Sequence, residues 1–126
     1  MSSNLTLNYL DFDYSEDPQG IGTFDAMAST RPEHVAAVRA EIALVLDWAH
    51  AAFPGLRAPL DEGGEWDFNL QGQQEWSAFE TMTYDENTRQ FAVQLSPAGP
   101  PRHTVTLSLS GSPQFCAAFR QRFDPE

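Results

Sequence analysis

The sequence contains no lysine, only one cysteine and no apolar run near the roughly 20 residues that a membrane span requires. All seven basic residues are arginines, and eighteen acidic residues give the chain a formal net charge of −11. Nucleic acids and anionic membranes are bound mainly through positive charge, so this balance excludes both as general partners. A basic protein or peptide is the partner that the charge favours.

The single cysteine, Cys116, excludes an internal disulfide framework and is typical of a reducing compartment. It follows Phe115 in an apolar stretch, which favours a thiol packed in the core; a nucleophilic thiol is the alternative. The first residues, MSSNLTLNY, lack the basic and apolar segments of a secretion signal. Lysine is absent and Ala, Arg and Pro are in regular use, which is typical of GC-rich bacterial genomes. We therefore expect a soluble, cytoplasmic bacterial protein with no cofactor.

The distribution of apolar residues predicts the fold class. Residues 31–53 carry apolar side chains at helical spacing, begin with a capping box formed by Thr30 and Glu33, and end at Pro54. Short runs with alternating apolar residues lie on both sides of this helix, and a shorter helix closes the chain. We predict a single α+β domain over residues 1–126, with an antiparallel sheet, the order ββ-α-ββββ-α, and the long helix packed on the sheet.

The same patterns predict which residues are buried. The first strand is expected within residues 5–15. The run QEWSAFETMTY and the run RQFAVQL are expected as two strands of the main sheet, each with one buried face. The core is expected to join one stripe of the long helix to the strands, and it comprises Val38, Ile42, Val45, Leu46, Trp66, Phe68, Val93 and Leu107.

The stretch LDEGGEWDFNL, residues 60–70, places four carboxylates around a double glycine: Asp61, Glu62, Glu65 and Asp67. Glu65 and Asp67 are two positions apart and would be neighbours on one face of a strand. Hard oxygen ligands around a flexible glycine pair are compatible with a divalent cation. The simpler interpretation is a loop and the polar face of a strand, with an acidic contact surface as its most direct use.

The stretch LNYLDFDYS carries a second acidic pair, Asp11 and Asp13. An apolar strand that ends in Asp-x-Asp resembles the nucleophile strand of haloacid-dehalogenase-type phosphotransferases. The resemblance covers about nine residues, and it implies that Asp11 attacks, that Asp13 is the acid/base, and that the sheet is parallel. The chain has no lysine and no strand–helix alternation, so it departs from that family's pattern.

The outer side of the long helix is unusually apolar. At 100° per residue, Leu44 and Trp48 lie roughly opposite the core stripe, next to several alanines, where a half-buried helix is ordinarily polar. The cover is either another part of the chain or a second subunit. The sequence is thus compatible with a monomer or with a homodimer through the back of helix 31–53.

Taken together, these features favour a non-enzymatic protein-binding module, such as an inhibitor or immunity-type antagonist of a basic partner. The candidate contact residues are Asp61, Glu62, Glu65, Asp67, Asp11 and Asp13. The alternative is a small carboxylate-dependent enzyme or divalent-metal binder that uses Asp11 and Asp13 or the acids of residues 61–67. A concave pocket lined by acids would favour the enzyme, and an exposed acidic patch would favour binding.

Overall fold

The strands and helices occur in the predicted order, and the fold is α+β. The computed structural model describes residues 7–123. The strands are β1 (Asp13–Glu16), β2 (Gly22–Thr30), β3 (Trp66–Glu75), β4 (Glu80–Asp85), β5 (Gln90–Leu95) and β6 (Arg102–Gly111), and the helices are α1 (Val35–Ala52) and α2 (Pro113–Phe123). Within residues 7–123, neither helix is long and apolar enough to cross a membrane.

The strands form two separate antiparallel sheets. Four of them pair in the order β1-β2-β6-β3, while β4 and β5 pair only with each other. The central strand β6 therefore pairs on one side with β2, which precedes α1, and on the other with β3, which follows it. All four strand pairs are antiparallel, unlike the parallel sheet that the phosphotransferase resemblance implies.

The four-stranded sheet has one buried and one polar face. Phe24 of β2, Leu109 of β6 and Phe68 of β3 lie side by side in the register and point to the same side. They belong to one core cluster that also contains the buried residues of both helices. The other side carries residues such as Asp25 and its partner Ser108, which are exposed or half-buried. The helices thus cover one face and leave the other open.

Helix α1 follows from its spacing. Val38, Ile42, Val45 and Ala49 recur at helical intervals and are all buried. A short 3₁₀ turn, Pro32–His34, precedes the helix, and no side chain caps it, so the predicted capping box does not form. At the other end, the N–H of Phe53 donates to the carbonyl of Ala49, and Pro54 follows.

The predicted core is largely confirmed. Val38, Ile42 and Val45 of α1 are buried against the sheet. Trp66 and Leu107 of the sheet are also buried, while Leu46 and Phe68 are half-buried. The prediction that Val93 is buried is wrong, because Val93 is 54% exposed. Its strand, β5, is not part of the four-stranded sheet, so no helix lies over it.

The first strand is shorter than predicted. Residues 5 and 6 lie outside the described residues, and residues 7–12 form no strand. The cause is Glu41 of α1, whose carboxylate accepts hydrogen bonds from the backbone N–H groups of Asn8, Tyr9 and Leu10 at 2.6, 3.0 and 3.0 Å. These donors are therefore satisfied by a side chain rather than by a neighbouring strand.

Strands β4 and β5, with the links on either side, form an extension that we call the ribbon (residues 76–101). The ribbon continues the β3–β6 pairing through bonds between Phe79 and Ser96 and between Ser77 and Gly99. At its tip, the carboxylate of Asp85 accepts the N–H groups of the next turn residues. Every residue of the ribbon except Pro101 is exposed, so the prediction of a buried face on both strands is wrong.

Candidate functional site

The structure separates the six candidate carboxylates into two groups at opposite edges of the four-stranded sheet. Asp11 and Asp13 lie at the β1 edge, whereas the acids of residues 61–67 lie at the start of β3. With strands about 4.8 Å apart, three strand spacings put the two edges roughly 14 Å from each other. The two acidic stretches therefore do not form one site.

Glu65 has a structural role at the start of β3. The Ser112 hydroxyl donates a hydrogen bond to the Glu65 carboxylate, and the Ser112 N–H donates to the Glu65 carbonyl. The same hydroxyl accepts the N–H of Phe115 and so caps helix α2. Glu65 thereby fixes the start of α2 to the start of β3.

Asp67 and the double glycine are also part of the local structure. Asp67 forms an ion pair of 2.8 Å with Arg57. Gly63 has a φ of 93°, and a side chain on Gly64 would overlap the carbonyl of Ala58. Tight packing of this loop explains the glycines. Glu65 and Asp67, expected to be neighbours, thus turn to different partners.

Asp61 and Glu62 are the remaining members of this group. They lie in the 3₁₀ turn Leu60–Glu62 and are exposed. Within residues 7–123, no group of three or more His, Cys, Asp or Glu side chains is arranged to hold a metal ion.

The β1 edge carries the densest exposed acidity. Asp11, Asp13, Glu16 and Asp17 fall within seven residues and are all exposed; we call these four residues the acidic edge. Asp17 also accepts the N–H groups of Gln19 and Ile21, which closes the turn into β2. Asp13 lies directly across from Asp25 of β2, which adds a fifth carboxylate to the same surface.

A small polar cluster lies beneath this edge. The Tyr14 hydroxyl donates to the Glu16 carboxylate at 2.7 Å, and this bond, with desolvation, raises the pKa of Tyr14 to about 12. Burial raises the pKa of the Cys116 thiol, so the thiol stays protonated near neutral pH. The cysteine lies in the core, as the sequence predicts, and its protonated form is a poor nucleophile. Its neighbour Gly22 has no room for a side chain.

A cavity of about 380 Å³ opens between residues 7–14 and helix α2. Its walls are mainly apolar and aromatic, with Arg120 as the basic group. Of the six candidate carboxylates, Asp11 alone lines it. The lining residues are Leu7, Asn8, Tyr9, Leu10, Asp11, Phe12, Tyr14, Phe24, Phe119, Arg120 and Phe123.

Leu44 and Trp48 have different surroundings. The Trp48 ring is half-buried and packs against the rings of Phe53 and of the α2 residues Phe115, Phe119 and Phe123, with centroid distances of 5.4–6.3 Å. This is the intramolecular cover that the sequence allowed for. Leu44 remains 39% exposed, so self-association through it stays a prediction.

Comparison of the chain with protein-family models, with characterised proteins and with solved structures finds no match. Evidence on function therefore comes from the site geometry alone.

Sequence reasoning missed two features. Glu41 was not singled out, because its three backbone partners are more than thirty positions away. The exposed ribbon was assigned to the sheet, although its alternating residues were recognised. Prolines at 97, 100 and 101 were the available signal, since proline cannot donate to a strand ladder.

Proposed function

We propose that the protein is a non-enzymatic protein-binding module, acting in the bacterial cytoplasm as an inhibitor or antagonist of a basic partner. The observation that carries this proposal is the acidic edge: four exposed carboxylates within seven residues, in β1 and directly on either side of it, and β1 is a terminal strand of the sheet. An edge strand offers unpaired backbone groups to an extended segment of another protein. The carboxylates would select a segment rich in lysine and arginine and would accelerate its association.

The acidic edge is a better contact surface than the acids of residues 61–67. Two carboxylates of each group already accept hydrogen bonds: Glu65 and Asp67 in the second group, and Glu16 and Asp17 in the acidic edge. The groups differ in exposure. All four carboxylates of the acidic edge are exposed, whereas only Asp61 and Glu62 are exposed in the second group.

A small-ligand or enzymatic role for Asp11 is the second candidate. It is favoured by the cavity that Asp11 shares with Tyr14 and Arg120, because a concave, mainly apolar site with a few polar groups is typical of ligand binding.

A capture experiment from lysate of the native host tests the leading proposal. The immobilised chain is compared with an edge variant, Asp11→Asn with Asp13→Asn, and with a matched control, Asp61→Asn with Glu62→Gln. We expect wild type and control to retain the same basic protein, which the edge variant loses and which added salt releases. Equal retention by the edge variant would contradict the proposal. With the purified partner, the edge variant should associate more slowly and with a flatter salt dependence.

A further inference from the structure

The ribbon has two chemically different faces. Its register pairs Met82 with Val93 and Tyr84 with Phe91, and side chains that pair across strands point to the same side. We call this side the ribbon face; its apolar members are Met82, Tyr84, Phe91, Val93 and Leu95, and Glu80 lies opposite Leu95. The reverse side carries Thr81, Thr83, Asp85, Gln90, Ala92 and Gln94.

The ribbon face is open. Its five apolar residues are between 53% and 65% exposed, and no described residue covers them. Within the ribbon, the turn and the root are closed by specific hydrogen bonds, and the rings of Tyr84 and Phe91 pack at 5.1 Å. A two-stranded ribbon is marginally stable in water unless a further layer covers its apolar face. A third strand at its edge would enlarge that face without covering it, so the missing element is a second layer.

The open area matches what a dimer requires. An aromatic side chain carries roughly 150–250 Å² and an aliphatic one less, so each of the five leaves on the order of 100 Å² exposed and the ribbon face leaves roughly 500 Å². Two such faces would bury about 1,000 Å², which is the size that a specific protein–protein interface must reach.

We propose that a second copy of this chain covers the ribbon face. Two ribbons packed face to face form a four-stranded, two-layer sandwich with about 10 Å between the layers. A twofold axis makes such a contact self-complementary, so one apolar face is sufficient. The axis passes near Met82 and Val93, the middle pair of the face.

The position of Glu80 selects the direction of the two ribbons. Glu80 lies at the root of the ribbon face, while Arg89 lies in the turn at the tip. When the ribbons run in opposite directions about this axis, the two Glu80 residues are four strand residues apart, roughly 13 Å along the strands, and each lies opposite position 84 of the second copy, next to its tip. The parallel arrangement would bring the two carboxylates together.

This proposal concerns a different surface from the acidic edge, and it makes the opposite prediction for salt. Each chain carries a net charge of −11, so sodium chloride screens repulsion between copies and strengthens the dimer. Binding of a basic partner weakens with salt. The two proposals can therefore fail separately.

Light scattering of the purified full chain, over a range of protein and salt concentrations, tests the dimer. We expect a mass of about twice 14.0 kDa. Phe91→Ser with Val93→Ser should raise the dimer dissociation constant by roughly 100-fold or more, with an unchanged circular-dichroism spectrum. The matched control on the reverse side of the same strand, Ala92→Ser with Gln94→Ser, should remain dimeric.

A cysteine pair tests the geometry with little disturbance of the fold. With a short bismaleimide that spans the roughly 10 Å between the layers, Val93→Cys should form a covalent dimer, because position 93 is near the axis, whereas Gln94→Cys on the reverse side should not. Both variants retain the buried Cys116, which cancels in the comparison. A wild type that is monomeric under all conditions, a dimer that survives the Phe91 and Val93 substitutions, or equal cross-linking at positions 93 and 94 would overturn the proposal.

Discussion

Replacement of Glu41 by glutamine tests whether a single helix side chain holds the segment that precedes β1. In Glu41→Gln, one of the two acceptor oxygens becomes an amide that cannot accept the N–H groups of residues 8–10. Oε1 accepts the N–H groups of Tyr9 and Leu10, and Oε2 accepts that of Asn8. A hydrogen bond to a charged group contributes roughly 1.5–3 kcal/mol when buried and less when exposed, so we expect a loss of about 1–3 kcal/mol in the free energy of unfolding.

Urea denaturation followed by circular dichroism measures this loss, and amide hydrogen exchange locates it. The amides of Asn8, Tyr9 and Leu10 should exchange faster in Glu41→Gln, while those of the sheet are slowed as in the wild type. Glu33→Gln is the matched control, because Glu33 is exposed in the turn before the helix, and it should change stability by less than about 0.5 kcal/mol. Equal stability of the two variants, with unaltered exchange of the three amides, would refute the reasoning.

Three further predictions concern the core and the cluster under the acidic edge. Ile42 is only 6% exposed, so Ile42→Ala should lower the free energy of unfolding by ~2–5 kcal/mol in chemical denaturation. A loss below ~1 kcal/mol would contradict the packing. Gly22→Ala would place a methyl group 2.5 Å from the Cys116 sulfur. It should therefore destabilise the fold by about 1–3 kcal/mol in the same assay. Unchanged stability would contradict the close packing of this cluster. The raised pKa values of Cys116 and Tyr14 mean that the folded state favours their protonated forms. The free energy of unfolding should therefore fall as the pH rises from about 9 to about 12. A melting temperature that does not change over this range, in Tyr14→Phe and in the wild type alike, would contradict this.

The helices and the buried faces of β2 and β6 were predictable, because the apolar residues that face the core recur at the regular spacing of a helix or a strand. Val38, Ile42 and Val45 follow the helical period, and Leu107 follows the strand period. Val93 has an equally clear strand pattern, yet its assignment to the core was wrong. Alternation shows that one face of a strand is apolar, but it does not specify whether the covering layer comes from the same chain or from another molecule.

The candidate site was less predictable, because its bonds join distant residues. Glu65 is bonded to Ser112, which lies 47 positions away, and no local pattern distinguishes it from an exposed carboxylate. Asp11 and Asp13 were singled out for their Asp-x-Asp spacing, whereas the structure groups them with Glu16 and Asp17 along one sheet edge. Composition predicted the sign of the charge, but only the topology shows where it accumulates.

The hairpin at the tip of the ribbon has a consequence for how the chain folds. Paired residues of β2 and β6 are far apart in the sequence; Asp25 and Ser108, for example, are 83 positions apart. Closing a loop of that length is entropically unfavourable and slow. The other neighbour of β6, β3, is separated from it only by residues 76–101. Closure of the turn at Asp85 starts a ladder that can extend residue by residue from β4–β5 into β3–β6, with each new pair closing only a short additional loop. The long hairpin would thus be complete before β2 and the helices dock on it, and substitutions at the turn should slow folding more than they accelerate unfolding.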